Sequence, residues 1–99
     1  MITATIGRNK VIIDGHANMA PAGQDIVCAG VSALVGGVLA SLEKNEFFHN
    51  IVKRDGYIEI EFDEIYTNSP CLYIKEVLYL GLLNIQQQYP EYLRVVNDS

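Results

Sequence analysis

Hydrophobic residues alternate with polar ones at the beginning of the chain, which is the pattern of a strand with one buried face. The alternating residues are Ile2, Ala4 and Ile6. A turn-like segment at residues 7–10 separates them from a second apolar run at residues 11–13, so the pattern predicts a β-hairpin. His16 follows the second run and is therefore expected just past a strand end.

From Asp25 onwards the pattern changes to that of a helix. Apolar residues recur at steps of three and four as far as residues 43–45, at Val27, Val31, Leu34, Val35, Val38 and Leu42. Asp25 is a favoured N-cap residue, and Cys28 follows it within the predicted first turn. A second stripe of this helix carries small side chains that allow another backbone to come close, at Ala29, Ala33, Gly36, Gly37 and Ala40.

A second hairpin is predicted in the middle of the chain. Two strand-like runs, residues 47–54 and 57–62, flank Asp55-Gly56, a dipeptide suited to a two-residue turn. In the second run the apolar residues Ile58, Ile60 and Phe62 alternate with polar ones. One face of this hairpin is therefore expected to lie in the core and the other in water.

A second helix is predicted after this hairpin. Ser69-Pro70 resembles a helix cap followed by proline at the first helical position, so the helix is expected to run from Cys71 to about Gln88. Pro90 would end it. The residues expected to be buried are Ile74, Val77, Leu78, Leu82 and Ile85.

The order of these elements, β-β-α-β-β-α, predicts an α+β fold. Two helices would pack on one face of a mainly antiparallel sheet, and residues 93–96 would add a short C-terminal edge strand. With 99 residues, 49% of them hydrophobic, residues 1–99 are expected to form a single domain.

The charge and hydropathy of the chain limit the kinds of molecule that it is expected to bind. The net charge of −5, with only Lys53 and Arg54 as adjacent basic residues, argues against a nucleic-acid partner and favours a basic polypeptide. No apolar run reaches the roughly 20 residues that cross a bilayer, so no membrane association is predicted. The first ten residues lack the order of a secretion signal, and a cytoplasmic location is expected.

The two cysteines, Cys28 and Cys71, are too few for a disulfide framework and are not spaced as zinc ligands. No metal or organic cofactor is implied, and both are expected to be free thiols. A thiolate is favoured at a helix N-terminus, and a nucleophile needs a base such as His16 within reach. The pattern of Cys28 is also typical of a buried core thiol, because free cysteine is among the most buried residue types.

Several motifs together resemble the ribosomal-processing cysteine proteases. The first consists of Gly15-His16-Ala17, Ala20, Gly23 and residues 25–29 and 31–34, with a step of twelve residues from His16 to Cys28. Residues 56–60 and 89–95 are similar to later segments of the same family. The resemblance therefore covers nearly the whole chain.

The resemblance implies a homodimeric bacterial peptidase that removes a short N-terminal extension from a large-subunit ribosomal protein precursor. Phage-borne relatives of this family process capsid or scaffold proteins instead. The resemblance also implies that Cys28 is the nucleophile, His16 the general base and Asp25 a supporting acid. The segment between them would gate the substrate cleft, and it consists of Ala17, Asn18, Met19, Ala20, Pro21, Ala22, Gly23 and Gln24.

Three alternatives stay open on the sequence. Asp25 has two possible roles, since a helix cap accepts from a first-turn N–H whereas a triad member turns towards His16. The chain is alternatively a non-catalytic peptide-binding factor in ribosome or phage assembly. It is alternatively a thiol redox sensor in which Cys71 resolves oxidised Cys28.

Overall fold

The structure is a computed structural model, and it describes residues 1–16, 25–45, 50–62 and 69–98. Two helices and five strands follow the predicted order. They are β1 (Ile2–Ile6), β2 (Lys10–Asp14), α1 (Ile26–Asn45), β3 (Asn50–Arg54), β4 (Tyr57–Glu61), α2 (Ser69–Gln88) and β5 (Leu93–Asn97). The α+β fold class and the C-terminal strand are thereby confirmed.

The five strands form one sheet in the order β3-β4-β2-β1-β5. The pairs β1–β2, β2–β4 and β3–β4 are antiparallel, whereas β1 and β5 are parallel. The sheet is therefore mainly antiparallel, as predicted, with the C-terminal strand at one edge. In the β2–β4 pair Asp14 lies opposite Tyr57, which brings the end of β2 beside the β3–β4 turn.

Both helices pack on one face of this sheet and share a single core with it. Alternate residues of β1 are buried, which confirms the strand pattern predicted for the first hairpin. The core residues of the helices are Val27, Val31, Val35, Val38, Leu39 and Leu42 of α1, and Cys71, Leu78 and Leu82 of α2. The strands and helices are therefore held together by this shared core.

The two helices run antiparallel and approach each other closely. A Cβ added at Gly81 of α2 would lie 2.7 Å from Cδ2 of Leu34, and one added at Gly30 of α1 would lie 3.7 Å from Cδ1 of Ile85. Because later residues of one helix face earlier residues of the other, the start of α2 lies beside the end of α1. At a rise of 1.5 Å per residue, Cys71 is displaced by about 24 Å along the helix from Cys28.

Three details differ from the predictions or go untested. The second helix begins at Ser69 rather than Cys71, so Ser69 is the first residue of the helix. Val77 is 59% exposed instead of buried, because the core side of α2 is centred on Leu78 and Leu82 and Val77 is turned by about 100° from Leu78. Of the predicted strand 47–54, residues 47–49 lie outside the described residues.

Helix α1 is apolar around most of its circumference. It is 20 residues long with a mean hydropathy of 1.9, which by length and composition alone is enough for a membrane span. Core helices of globular proteins pass the same test, and α1 places six residues in the core. Only 33% of its apolar window is buried in this chain, so much of its surface faces outward.

Candidate active site

Cys28 lies in the first turn of α1, at a helix start defined by Asp25. The Oδ1 atom of Asp25 accepts a hydrogen bond from the Cys28 N–H at 3.0 Å, and the Asp25 carbonyl accepts one from the Ala29 N–H at 3.0 Å. These two bonds are those of an N-cap, so the capping role predicted for Asp25 is present. Cys28 is half-buried and sits where the helix dipole favours negative charge.

His16 follows the last residue of β2, as predicted. The preceding Gly15 has a φ of 102°, a conformation that favours glycine, and its N–H donates to the Gly56 carbonyl at 2.8 Å. This bond connects the end of β2 to the β3–β4 turn. The His16 side chain is 54% exposed, so it is available to a ligand from solvent.

Cys28 and His16 both line one cavity of about 570 Å³. It lies between the N-terminal half of α1 and the end of the sheet formed by β2 and the β3–β4 turn. Its other lining residues are Ile2, Ile13, Gly15, Val31, Ser32, Val35, Lys53, Arg54, Asp55, Gly56, Tyr57 and Ile58. Apolar and charged side chains both line it, a combination that is common in ligand-binding clefts.

The β3–β4 turn also contributes side chains to this cavity, whereas the sequence predicts it only as a hairpin turn. The Oδ2 atom of Asp55 lies 4.0 Å from Nε2 of His16. Gly56 has a φ of 69°, and a Cβ added there would lie 2.6 Å from the same nitrogen. The sequence carries no signal for this contact, because Asp-Gly is fully explained by the turn itself.

The substrate-gating segment predicted at residues 17–24 lies outside the described residues. His16 and Asp25 are its two flanking residues, so the candidate base and the helix cap are joined by that segment. Its gating role therefore stays a prediction.

Cys71 differs from Cys28 although both lie in the first turns of helices. It is 3% exposed, and burial raises the pKa of its thiol, with only partial opposition from the charge of Lys75. A protonated, buried thiol is a poor nucleophile. The separation of about 24 Å along the helices also prevents a disulfide within one chain, which needs Cα atoms less than about 7 Å apart.

The described residues contain no group of three or more His, Cys, Asp or Glu side chains placed to hold a metal ion. A thiol at a helix N-terminus and an imidazole in the same cleft are suited to nucleophilic attack on a carbonyl group.

Comparison with known proteins points to one family. The family described as cysteine protease Prp matches residues 1–94. The ribosomal processing cysteine protease Prp of Mycoplasma genitalium is 42% identical over 101 residues, covering 100% of this chain and 97% of that protein. The Bacillus subtilis protein of the same name is 36% identical over 113 residues, covering 99% of this chain and 98% of that protein.

A solved structure shares the fold. It is that of an essential ribosomal processing protease Prp from S. aureus in complex with a covalently linked product peptide. The TM-score is 0.90 at 29% identity, and the match covers 99% of this chain and 100% of the other. The arrangement of helices and sheet around the cavity is therefore similar to that of a peptide-cleaving relative.

Proposed function

Because this chain belongs to the cysteine protease Prp family, we propose that it removes a short N-terminal extension from the precursor of a large-subunit ribosomal protein. It is a cysteine protease. The observation that carries the proposal is that Cys28, in the first turn of α1, and His16, at the end of β2, line one cavity. The relatives named as ribosomal processing proteases support this substrate class.

The proposed mechanism begins with the thiolate of Cys28 and the imidazolium of His16. The sulfur attacks the carbonyl carbon of the scissile bond, and His16 donates its proton to the nitrogen as the C–N bond breaks. The extension stays attached to sulfur as a thioester, and the mature protein leaves with a new N-terminus. Water then attacks the thioester while His16 accepts its proton, and the C–S bond breaks, which releases the extension and restores the thiolate of Cys28 and the imidazolium of His16.

The start of α1 supplies the proposed oxyanion donors. The N–H groups of Ile26 and Val27 have no acceptor within the helix, whereas the N–H of Cys28 already donates to Asp25. A preorganised donor aimed at the developing oxyanion contributes about 3 kcal/mol. Asp25 supports the site in this scheme by fixing the first turn that carries the sulfur and these donors.

The net charge of −5 supports a basic substrate, because opposite charges increase the rate of encounter. Ribosomal proteins bind RNA and are commonly basic. This substrate places the proposed activity in the cytoplasm. A phage capsid or scaffold protein is the alternative substrate class, and the assay below includes it.

Incubation of the protein with the host's unprocessed ribosomal precursor is expected to yield one new N-terminus, at the end of the extension. Mass spectrometry of the intact product checks this result. The matched control is the mature ribosomal protein, which should stay uncut. Cleavage of a phage capsid or scaffold protein alone would contradict the ribosomal substrate, and binding of the precursor without cleavage would contradict the peptidase.

We further propose a homodimer that associates through one apolar surface, here named the α1–α2 face. It consists of the exposed small residues Ala29, Ala33, Gly36, Gly37 and Ala40 of α1 with Tyr73, Val77 and Leu80 of α2, and Ala33, Gly37, Tyr73 and Val77 line one shared groove. Tyr73, Val77 and Leu80 are 67%, 59% and 52% exposed, and the small residues allow a second helix to approach closely. Large exposed apolar surfaces of this kind are typical of protein interfaces.

Val77→Asp is expected to convert the dimer to a monomer, because it would place an unpaired charge at the centre of the α1–α2 face. Light scattering coupled to size exclusion measures the mass directly. Leu72→Asp is the matched control, since Leu72 is 49% exposed on another side of the same helix. Equal masses for the wild type and Val77→Asp, or loss of the dimer in Leu72→Asp alone, would contradict this interface.

A further inference from the structure

The β3–β4 turn lies directly against the imidazole of His16. Its Gly56 carbonyl accepts the 2.8 Å hydrogen bond from Gly15, so the turn is attached to the residue before His16. A Cβ added at Gly56 would lie 2.6 Å from Nε2, 3.1 Å from Cδ2 and 3.3 Å from Cε1 of the ring. The ring therefore rests on bare backbone, and only glycine leaves room for it.

The carboxylate of Asp55, the residue before Gly56, faces the Nε2 atom of His16. The Asp55 Oδ2 atom is 4.0 Å from Nε2 of His16, and within the described part of the chain no other basic group lies that close to Asp55. Arg54, although adjacent in sequence, places its guanidinium over the ring of Tyr57, 4.3 Å from the centroid. The negative charge of Asp55 is thus placed beside the imidazole.

A carboxylate that orients a catalytic histidine must approach the ring nitrogen that does not face the nucleophile. The Oδ1 atom of Asp25 is occupied at the helix start by the N–H of Cys28. Asp55 approaches Nε2 from the β3–β4 turn, which lines the same cavity as Cys28 of α1. The two acids therefore lie on different elements, Asp25 at the start of α1 and Asp55 on the β3–β4 turn.

We propose that Asp55 and Gly56 are positioning residues for His16, with the Asp55 carboxylate at Nε2 and the Gly56 backbone under the ring, so that Nδ1 faces the thiol of Cys28. This inference rests on the proposed function. The carboxylate at one ring nitrogen and the backbone under the ring hold the imidazole in the orientation that proton transfer with Cys28 requires. Because Asp55 is fully exposed, the effect grows when a bound peptide covers the pair and removes water from it.

Asp55→Asn is expected to lower kcat by roughly tenfold and to leave KM within about twofold, because the contact acts on the reacting base and not on binding. Asp55→Glu should restore most of the lost rate, since it keeps the charge on a side chain that reaches the ring. The matched control is Asp14→Asn, the same change at an exposed acid two residues before His16 on β2. A uniform rise in KM, or an equal loss of kcat in Asp14→Asn, would overturn the proposal.

Alkylation of Cys28 by iodoacetamide gives a readout that needs no peptide substrate. In a Cys71→Ala background, Asp55→Asn should lower the alkylation rate at neutral pH severalfold, and Asp14→Asn should leave it unchanged. Unchanged alkylation and kcat in Asp55→Asn, with normal cleavage by the wild type, would overturn the positioning role alone. Failure of the wild type to cleave any precursor would instead count against the proposed function.

Discussion

Replacement of Cys28 by alanine is expected to lower kcat/KM for the ribosomal precursor by roughly 10⁴- to 10⁶-fold, the range found when a catalytic nucleophile is removed. The Cys28 side chain is half-buried at the helix start. The hydrogen bond to Asp25 is donated by the backbone N–H of Cys28, which alanine also has. The variant should therefore keep its fold and still bind substrate. Initial rates of precursor cleavage, with binding followed separately, measure both quantities.

Cys71→Ala is the matched control for this prediction. It removes the other thiol of the chain, which is buried and whose pKa is raised by that burial. Cleavage by Cys71→Ala should stay within about twofold of the wild type once folding is verified, because the residue lies about 24 Å along the helix from Cys28. Retained cleavage in Cys28→Ala, or equal losses in both variants, would contradict the assignment of the nucleophile.

Replacement of His16 by glutamine is expected to lower kcat by roughly 10³-fold with a small change in KM, within the range that general acid–base catalysis contributes. Glutamine keeps a polar side chain at the cavity but is unable to transfer the proton. His16 is 54% exposed and is not part of the core, so the free energy of unfolding should change little. Steady-state kinetics and thermal unfolding measure the two effects separately.

His49→Gln makes the same change at the other histidine of the chain. This control should cleave the precursor at close to the wild-type rate. A His16→Gln variant that retains more than about a tenth of the wild-type kcat would be incompatible with a general base at this position. A comparable loss of kcat in His49→Gln would contradict the assignment of His16 as the general base.

The local features of the fold were predictable because each depends on neighbours in sequence. The alternation at Ile2, Ala4 and Ile6 reports one buried face of a strand, and Asp25 shows the hydrogen bonds of an N-cap. The Asp-Gly turn and the helix end before Pro90 follow from backbone preferences in the same way. Each of these rules acts over a few residues.

Features set by the tertiary arrangement were harder to predict. Val77 fits the apolar spacing of α2, yet the approach of α1 to Gly81 turns the core side of the helix towards Leu78 and Leu82. Cys28 and Cys71 share a helix-start position in sequence, and only packing separates a half-buried thiol from a buried one. The pattern within each helix contains no information about its orientation against the other.

The candidate site likewise has one part that the sequence predicts and another that depends on the tertiary arrangement. Cys28 and His16 were identified from residue type, spacing and family resemblance, and the fold places both on one cavity. The contact of Asp55 with His16 depends on the pairing of β2 with β4, which places Asp14 opposite Tyr57 at the end of the sheet. Strand order is a property of the whole sheet, so this part of the site was not readable from local sequence.

Detection of the acyl-enzyme shows which residue is the nucleophile. The protein is mixed with excess precursor, quenched with acid within one turnover, digested and analysed by mass spectrometry. The expected product is the N-terminal extension joined as a thioester to the peptide that contains Cys28, with no such adduct on Cys71. Cleavage that proceeds with the extension attached to another residue, or with Cys28 unmodified throughout the turnover, would contradict it.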